Sequence, residues 1–310
     1  VTAKSETGFR SHGAAPHAAL VTVQILFATW PIVGKLALHS VPSLTLVGFR
    51  VVGAALALLA MIRMRGRLQR IKRTDWPLLA LSSLLGLIFN QWLYVKGLSL
   101  TTAINATLLS TTIPVSTFLV GLVVGTDRAS WQRIIGILIA AAGVLYLIGP
   151  GRASFSTATR VGDFLIVGNS LCYGAYIAVS KDLVRRYDPL SVITWVFVLG
   201  CFATAPVGAI SLAHVPLRDV SLTVWLEILY IVLLPTAGAY FLNAWALARV
   251  PPSTVAVYIY LQPLIAFVLA PLILGESLSW RTITASLLVF AGVVVVTRGR
   301  RRTGIVNSKS

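Results

Sequence analysis

Charge is what this sequence has least of. Only 11% of its 310 residues are Asp, Glu, Lys or Arg, against roughly a quarter in an ordinary soluble chain. Acids are scarcer still, nine against 26 Lys and Arg. A soluble globule this poor in charge and 57% hydrophobic would aggregate, so an ordinary water-soluble domain is excluded. The only cysteines, Cys172 and Cys201, both fall inside apolar runs without CxxC or Cys/His spacing. That argues against a disulfide framework or a thiolate metal site and leaves both as packing residues. The four histidines, His12, His17, His39 and His214, lie at the ends of apolar runs or outside them. No carboxylate pair falls at mid-run. Without a nucleophile and base, paired acids or a metal constellation, an intramembrane enzyme is disfavoured, and no catalytic residue, metal or cofactor is predicted. A carbonyl-lined filter motif or charged ring is also missing, which weighs against a channel.

What the chain does have is hydrophobic length. Apolar runs separated by turn signals fall at about 17–38, 43–62, 76–97, 101–124, 130–149, 161–181, 189–210, 221–247, 252–274 and 279–297. About 20 apolar residues wound as helix span the roughly 30 Å hydrocarbon core of a bilayer. The pattern predicts an all-α polytopic membrane protein of ten transmembrane helices with lipid as its solvent. The first sixteen residues are polar and the first run is too long for a signal-peptide core, so no cleaved export signal is expected. The tail from Arg298 is basic and polar, and its end is expected to be disordered.

The net charge of +17 does not point to nucleic acid, because the basic residues lie between apolar runs without interleaved aromatics. They read as topology determinants. With the N-terminus cytoplasmic, inside segments hold 19 Lys and Arg and outside segments five, Lys35 and Arg50 lying within spans. This asymmetry places both termini and the Arg63–Arg73 connection in the cytoplasm, in a membrane expected to be the bacterial inner membrane.

The chain is also internally repeated. At a spacing of 149 residues, Leu98 aligns with Leu247, Pro114 with Pro263, Asp127 with Glu276, Ser130 with Ser279, Trp131 with Trp280 and Gly143 with Gly292. Earlier in each half, Lys35 pairs with Lys181 and Pro42 with Pro189 at spacings of 146 and 147. The predicted organisation is an N-terminal tail (1–16), a first five-helix repeat (17–149), an extracytoplasmic linker (150–160), a second repeat (161–297) and a basic tail (298–310). Five spans are an odd number, so the second repeat enters the membrane inverted. Inverted halves of one asymmetric shape are the basis of alternating access in secondary transporters.

These residues resemble the ten-helix EamA-type members of the drug/metabolite transporter superfamily. The resemblance rests on Phe27-Ala28-Thr29-Trp30 with Lys35 in the first helix, and on Pro42 followed by Phe49-Arg50 in the second. It continues with Asn90 and Gly97-Leu98 in the third, and with the Pro114–Gly143 block and its repeat at Pro263–Gly292. It covers nearly the whole chain. Where the family commonly has a tryptophan-glycine pair, this chain reads Trp30-Pro31, and no role is carried over for that pair. The resemblance implies a transporter with a central cavity, and the chain is most similar to exporters of aromatic amino acids.

Polar and aromatic residues within spans face protein or water rather than lipid, so their spacing locates a cavity. Asn169, Tyr173, Tyr176 and Ser180 share one helical face at i, i+4, i+7 and i+11. Asn90 and Tyr94, Asn105 and Thr112, Tyr258 and Gln262, and Tyr240 and Asn243 form shorter stripes. Gln24 and Trp30 add polar or aromatic character to the first helix, and Trp195 lies deep in its run. Amides of this kind either bond between helices or face a solute. The candidate binding set is Trp30, Asn90, Tyr94, Asn105, Asn169, Tyr173, Tyr176, Trp195, Tyr240, Asn243, Tyr258 and Gln262. Such a lining suits a small zwitterionic or neutral solute with an apolar or aromatic body. Nucleotide sugars or other metabolites are the alternative cargo, though a nucleotide sugar would call for more cations. Arg50 and Glu227 lie at similar depth and are either a structural ion pair, snorkelling side chains or a coupling pair. Pro114 and Pro263 mark static bends or hinges.

Overall fold

The computed structural model describes residues 14–123, 130–148, 157–216, 220–250, 255 and 258–306. Asp127, most of the linker, residues 1–13 and the last four residues therefore lie outside the described residues.

Among these residues all regular secondary structure is helical. Seven helical segments are long and apolar enough to cross a membrane: α1 (Ala14–Leu38), α2 (Ser43–Arg65), α3 (Arg73–Leu100), α4 (Ala103–Val123), α6 (Thr157–Arg186), α7 (Pro189–Leu212) and α8 (Leu222–Leu247). Three shorter apolar stretches belong to α5 (Trp131–Ile148), α9 (Leu261–Leu274) and α10 (Trp280–Val306), which makes ten helices. Each matches one of the ten expected runs. The last runs on through the basic tail to Val306 instead of ending near 297, as arginine is a good helix former.

Local chemistry sets the ends. Gly66 closes α2 at φ 85°, and Gly275 closes α9 at φ 66°, left-handed conformations that glycine adopts without penalty. Asp188 caps α7 by accepting from the Ser191 N–H, with Pro189 at the first helical position. Thr102 caps α4 through the Asn105 N–H.

Helix partners follow a two-fold pattern. In the first half α1 packs on α8 and α9 of the second; in the second half α6 packs on α3 and α4 of the first. The remaining large interfaces pair α2 with α7 and α5 with α10. Exchanging each helix for its counterpart five positions along leaves these pairings unchanged, as an inverted duplication requires. Small residues allow the closest crossings. A Cβ on Gly48 would lie 2.9 Å from the Cα of Gly208, and one on Gly292 only 2.4 Å from the Ala140 amide nitrogen.

The repeat extends to helix irregularities. In α3 the turn Leu84–Phe89 is a π-helix, and in α8 so is Val232–Gly238, the same place in each half. In α4 the helix breaks at Thr111–Thr112, ahead of Pro114, and the ninth helical segment has turns at Ile259–Tyr260, ahead of Pro263. Proline has no N–H to donate to the preceding turn. At the first break the Thr111 and Thr112 hydroxyls donate back to the Leu108 and Leu109 carbonyls.

Candidate functional site

The two π-turns and two proline breaks lie around one cavity near the middle of the bundle, with about 640 Å³ of empty space, its open side included. From the first half come Gln24, Phe27 and Trp30 on α1, Arg50 on α2, Asn90, Gln91 and Tyr94 on α3, and Ser110 and Ile113 at the α4 break. The second half supplies Asn169, Tyr173 and Ile177 on α6, Tyr240 and Asn243 on α8, and Val255, Ile259 and Gln262 around the ninth helix. Asn90 and Gln91 directly succeed the first π-turn; Tyr240 comes two residues after the second. A π-turn inserts an extra residue and re-aims the side chains beyond it, which is why such turns recur at functional sites.

A polar network ties these helices together. The Asn90 amide donates to Asn169 Oδ1 at 2.5 Å, and Gln91 Nε2 donates to Asn90 Oδ1 (3.2 Å) and to the Tyr240 hydroxyl (2.9 Å). Gln262 Nε2 donates to Gln24 Oε1 at 2.6 Å, and Asn243 Nδ2 to the Tyr173 hydroxyl at 3.3 Å. Aromatic rings fill the remaining wall. Trp30 stacks on Tyr94 with centroids 6.0 Å apart, and Tyr240 takes edge contacts from Phe27, Tyr173 and Phe197. Gly34 makes room for the Trp30 ring, since a Cβ there would come within 2.7 Å of it.

Arg50 is 2% exposed. Its Nη1 donates to Gln91 Oε1 at 2.5 Å, its Nε to Thr236 Oγ1 at 3.1 Å, and its Cζ lies 3.7 Å from the Trp30 ring centroid. Thr236 belongs to the second π-turn, and its own hydroxyl donates to the Ile231 carbonyl five residues back.

The structure thus gathers eight of the twelve predicted residues, Trp30, Asn90, Tyr94, Asn169, Tyr173, Tyr240, Asn243 and Gln262, around one space and leaves four elsewhere. Asn105 sits in the first turn of α4 and donates to both carboxylate oxygens of Asp163, which also accepts from Thr101. Tyr176 packs over Gly86, where a Cβ would meet its ring at 2.3 Å, and so seals α6 against α3 while Ile177 takes the cavity position. Trp195 is only six residues into α7, about 9 Å along it. Its indole donates to the Gln69 carbonyl and its ring tilts against Trp76, beside the folded 66–75 connection. Tyr258 bonds His17 Nδ1 at 2.8 Å; the turn at Ile259–Tyr260 breaks the stripe that would have set it beside Gln262. Of the alternatives for Arg50 and Glu227, the direct ion pair does not form. Arg50 reaches Thr236, nine residues and about 13 Å of helix beyond Glu227, and Glu227 Oε2 is buried with no hydrogen-bond partner among the described residues.

Two residues were passed over in the sequence. Gln91 is adjacent to Asn90 but three residues before Tyr94, and the i, i+3 spacing that joins Tyr240 to Asn243 puts it on the cavity side of its helix as well. Asp163 stands near the start of its run yet is 2% exposed, a second acid buried in the bundle. The signal available was the spacing of 146 that places Asp163 opposite His17.

Each end of the bundle is also tied. Glu276 accepts from the Ala103 and Ile104 amides at 2.7 and 3.0 Å, beside an apolar cluster of Ile32, Ala103, Ile104 and Ala270. At the opposite end His17 holds Tyr258, and Asp75 accepts from Tyr187 and pairs with Arg186 at 2.9 Å.

The EamA-like transporter family matches residues 16–149 and again 160–298. An uncharacterized transporter of Archaeoglobus fulgidus is 27% identical over 91% of this chain and 96% of its own length. A probable terminal-alkyne amino-acid exporter of Streptantibioticus cattleyicolor is 29% identical over 85% of this chain and 87% of its own. A WAT1-related protein of Arabidopsis thaliana is 24% identical over 71% of this chain and 67% of its own. One solved crystal structure superposes with a TM-score of 0.63 at 20% identity, covering 94% of this chain and 99% of the other, a likeness of fold. With a family match over each half of ten apolar helices, the chain belongs to the EamA-like transporter family and is a multi-pass membrane transporter rather than an enzyme.

Proposed function

We propose that this transporter exports amino acids with aromatic or other apolar side chains, by alternating access around the central cavity. The observation that carries this reading is the cavity wall itself. Trp30, Tyr94, Tyr173 and Tyr240 offer rings for an apolar body, while Asn90, Asn169, Asn243 and Gln262 offer amides for polar ends. Contributions from both repeats to the wall support a solute site where inverted halves exchange inward- and outward-open forms. The similarity to an amino-acid exporter supports the same cargo class. Arg50 is the one cation in the described wall, too few for the diphosphate of a nucleotide sugar. In proteoliposomes, a panel of unlabelled metabolites competing against labelled L-phenylalanine tests the proposal. Competition by aromatic and branched amino acids is expected; failure of every amino acid to be carried would sink it.

A further inference from the structure

Arg50 is a fixed charge in an apolar bundle, and the described protein offers it no anion. Its bonds go to a glutamine oxygen and a threonine hydroxyl, and its face lies on an indole. These are neutral partners that hold the guanidinium in place without cancelling its charge. Two of its five N–H donors are engaged; among the described residues the other three donate to no protein atom. No carboxylate stands in the described cavity wall. A buried cation is stable in such surroundings only at considerable cost unless a counter-charge arrives. A carboxylate matches the planar fork of an arginine in two parallel hydrogen bonds. Nothing of opposite sign is provided for an ammonium group, which would meet only amide and hydroxyl oxygens.

From this we infer that the cavity recognises its solute through a carboxylate docked on Arg50, and that a free amine on the solute is dispensable. The inference rests on the cavity being the transport site and narrows the cargo to small monocarboxylates with an apolar body, amino acids among them. Gln91, Thr236 and Trp30 act as positioning residues that hold the guanidinium toward the cavity.

The test uses the full chain purified into nanodiscs, with binding followed by tryptophan fluorescence and thermal midpoint. Matched probes separate the two ends of the solute: L-phenylalanine, 3-phenylpropionate, 3-phenylpropanamide and 2-phenylethylamine, with 4-methylpentanoate and its amide as an aliphatic pair. The acids are expected to bind about 10- to 100-fold more tightly than the amides and the amine, the scale of a lost charge-assisted hydrogen bond. Arg50→Gln should erase that preference and Arg50→Lys restore part of it. Equal binding of acid and amide in the parent protein overturns the inference even if neither variant folds, as does failure of every acid to bind. Acids that bind while no amino acid is transported would sink the export proposal and leave the carboxylate site standing. Transport of L-phenylalanine, competed equally well by the amide and the amine, would do the reverse.

Discussion

At the scale of single residues, Gln91 and Arg50 decide the polarity of the cavity between them. Gln91 accepts from Arg50 and donates to Asn90 and Tyr240, so its two ends cannot be replaced by one group. Gln91→Leu strands one donor of Arg50 and removes one of the two donors to Asn90 Oδ1, Tyr240 supplying the other, and should cost about 1–3 kcal/mol in unfolding free energy. Gln91→Glu differs: it sets a permanent carboxylate beside Arg50 and so competes with the solute. Solute affinity should fall at least about tenfold while the thermal midpoint in detergent is retained. A midpoint loss as large as in Gln91→Leu would mean that the donors of Gln91, not the charge of Arg50, dominate. Asp163 invites a parallel measurement. Removing it in Asp163→Ala leaves Thr101 and Asn105 without their shared acceptor, with an expected loss of about 1–3 kcal/mol in unfolding free energy.

At the scale of elements, the paired irregularities of the fourth and ninth helices ask whether bends move. Pro114 has no amide to give the Ser110 carbonyl four residues back, and the Thr111 and Thr112 hydroxyls bond the Leu108 and Leu109 carbonyls instead, so an alanine there restores a helical donor and stiffens the bend. Pro114→Ala and Pro263→Ala are each expected to change the transport rate more than the solute affinity. Unchanged rates in both variants would make the bends static. Interfaces between elements are less forgiving. A side chain at Gly292 would meet backbone atoms of α5, the Ala140 nitrogen at 2.4 Å and the Gly136 oxygen at 2.5 Å, and backbone cannot rotate away. Gly292→Val should therefore cost about 1–3 kcal/mol or more by overpacking, seen as a lower thermal midpoint, whereas Gly66→Ala at the exposed end of α2 meets no neighbouring atom and pays only for its φ of 85°.

For the whole molecule, inverted halves closing on one central space predict saturable transport with turnover limited by conformational motions of about microseconds to seconds. Linear flux in proteoliposomes up to high solute concentration would refute alternating access. Sidedness is a separate matter and depends on charge. In a background of Cys172→Ser and Cys201→Ser, a cysteine at exposed Arg67 should react with an impermeant reagent only from the cytoplasmic side, and one at exposed Ser40 only from outside. The opposite pattern would invert the proposed topology.

The sequence by itself determined the helices, their number and their duplication, because a run of some 20 apolar residues has one low-energy form in lipid and a repeat preserves its register. It also pointed to Asn90, Asn169 and Tyr173, whose helices run regularly enough at those positions for a period of 3.6 to place them. Where the helices depart from that period, periodicity lost its authority. The break at Ile259–Tyr260 separated Tyr258 from Gln262, and the 66–75 connection folded over Trp195. The partners of Arg50 likewise came only with the tertiary structure. Depth along a run suggested Glu227, but a long side chain bonds to what neighbouring helices bring within a few ångströms, and the second π-turn brought Thr236.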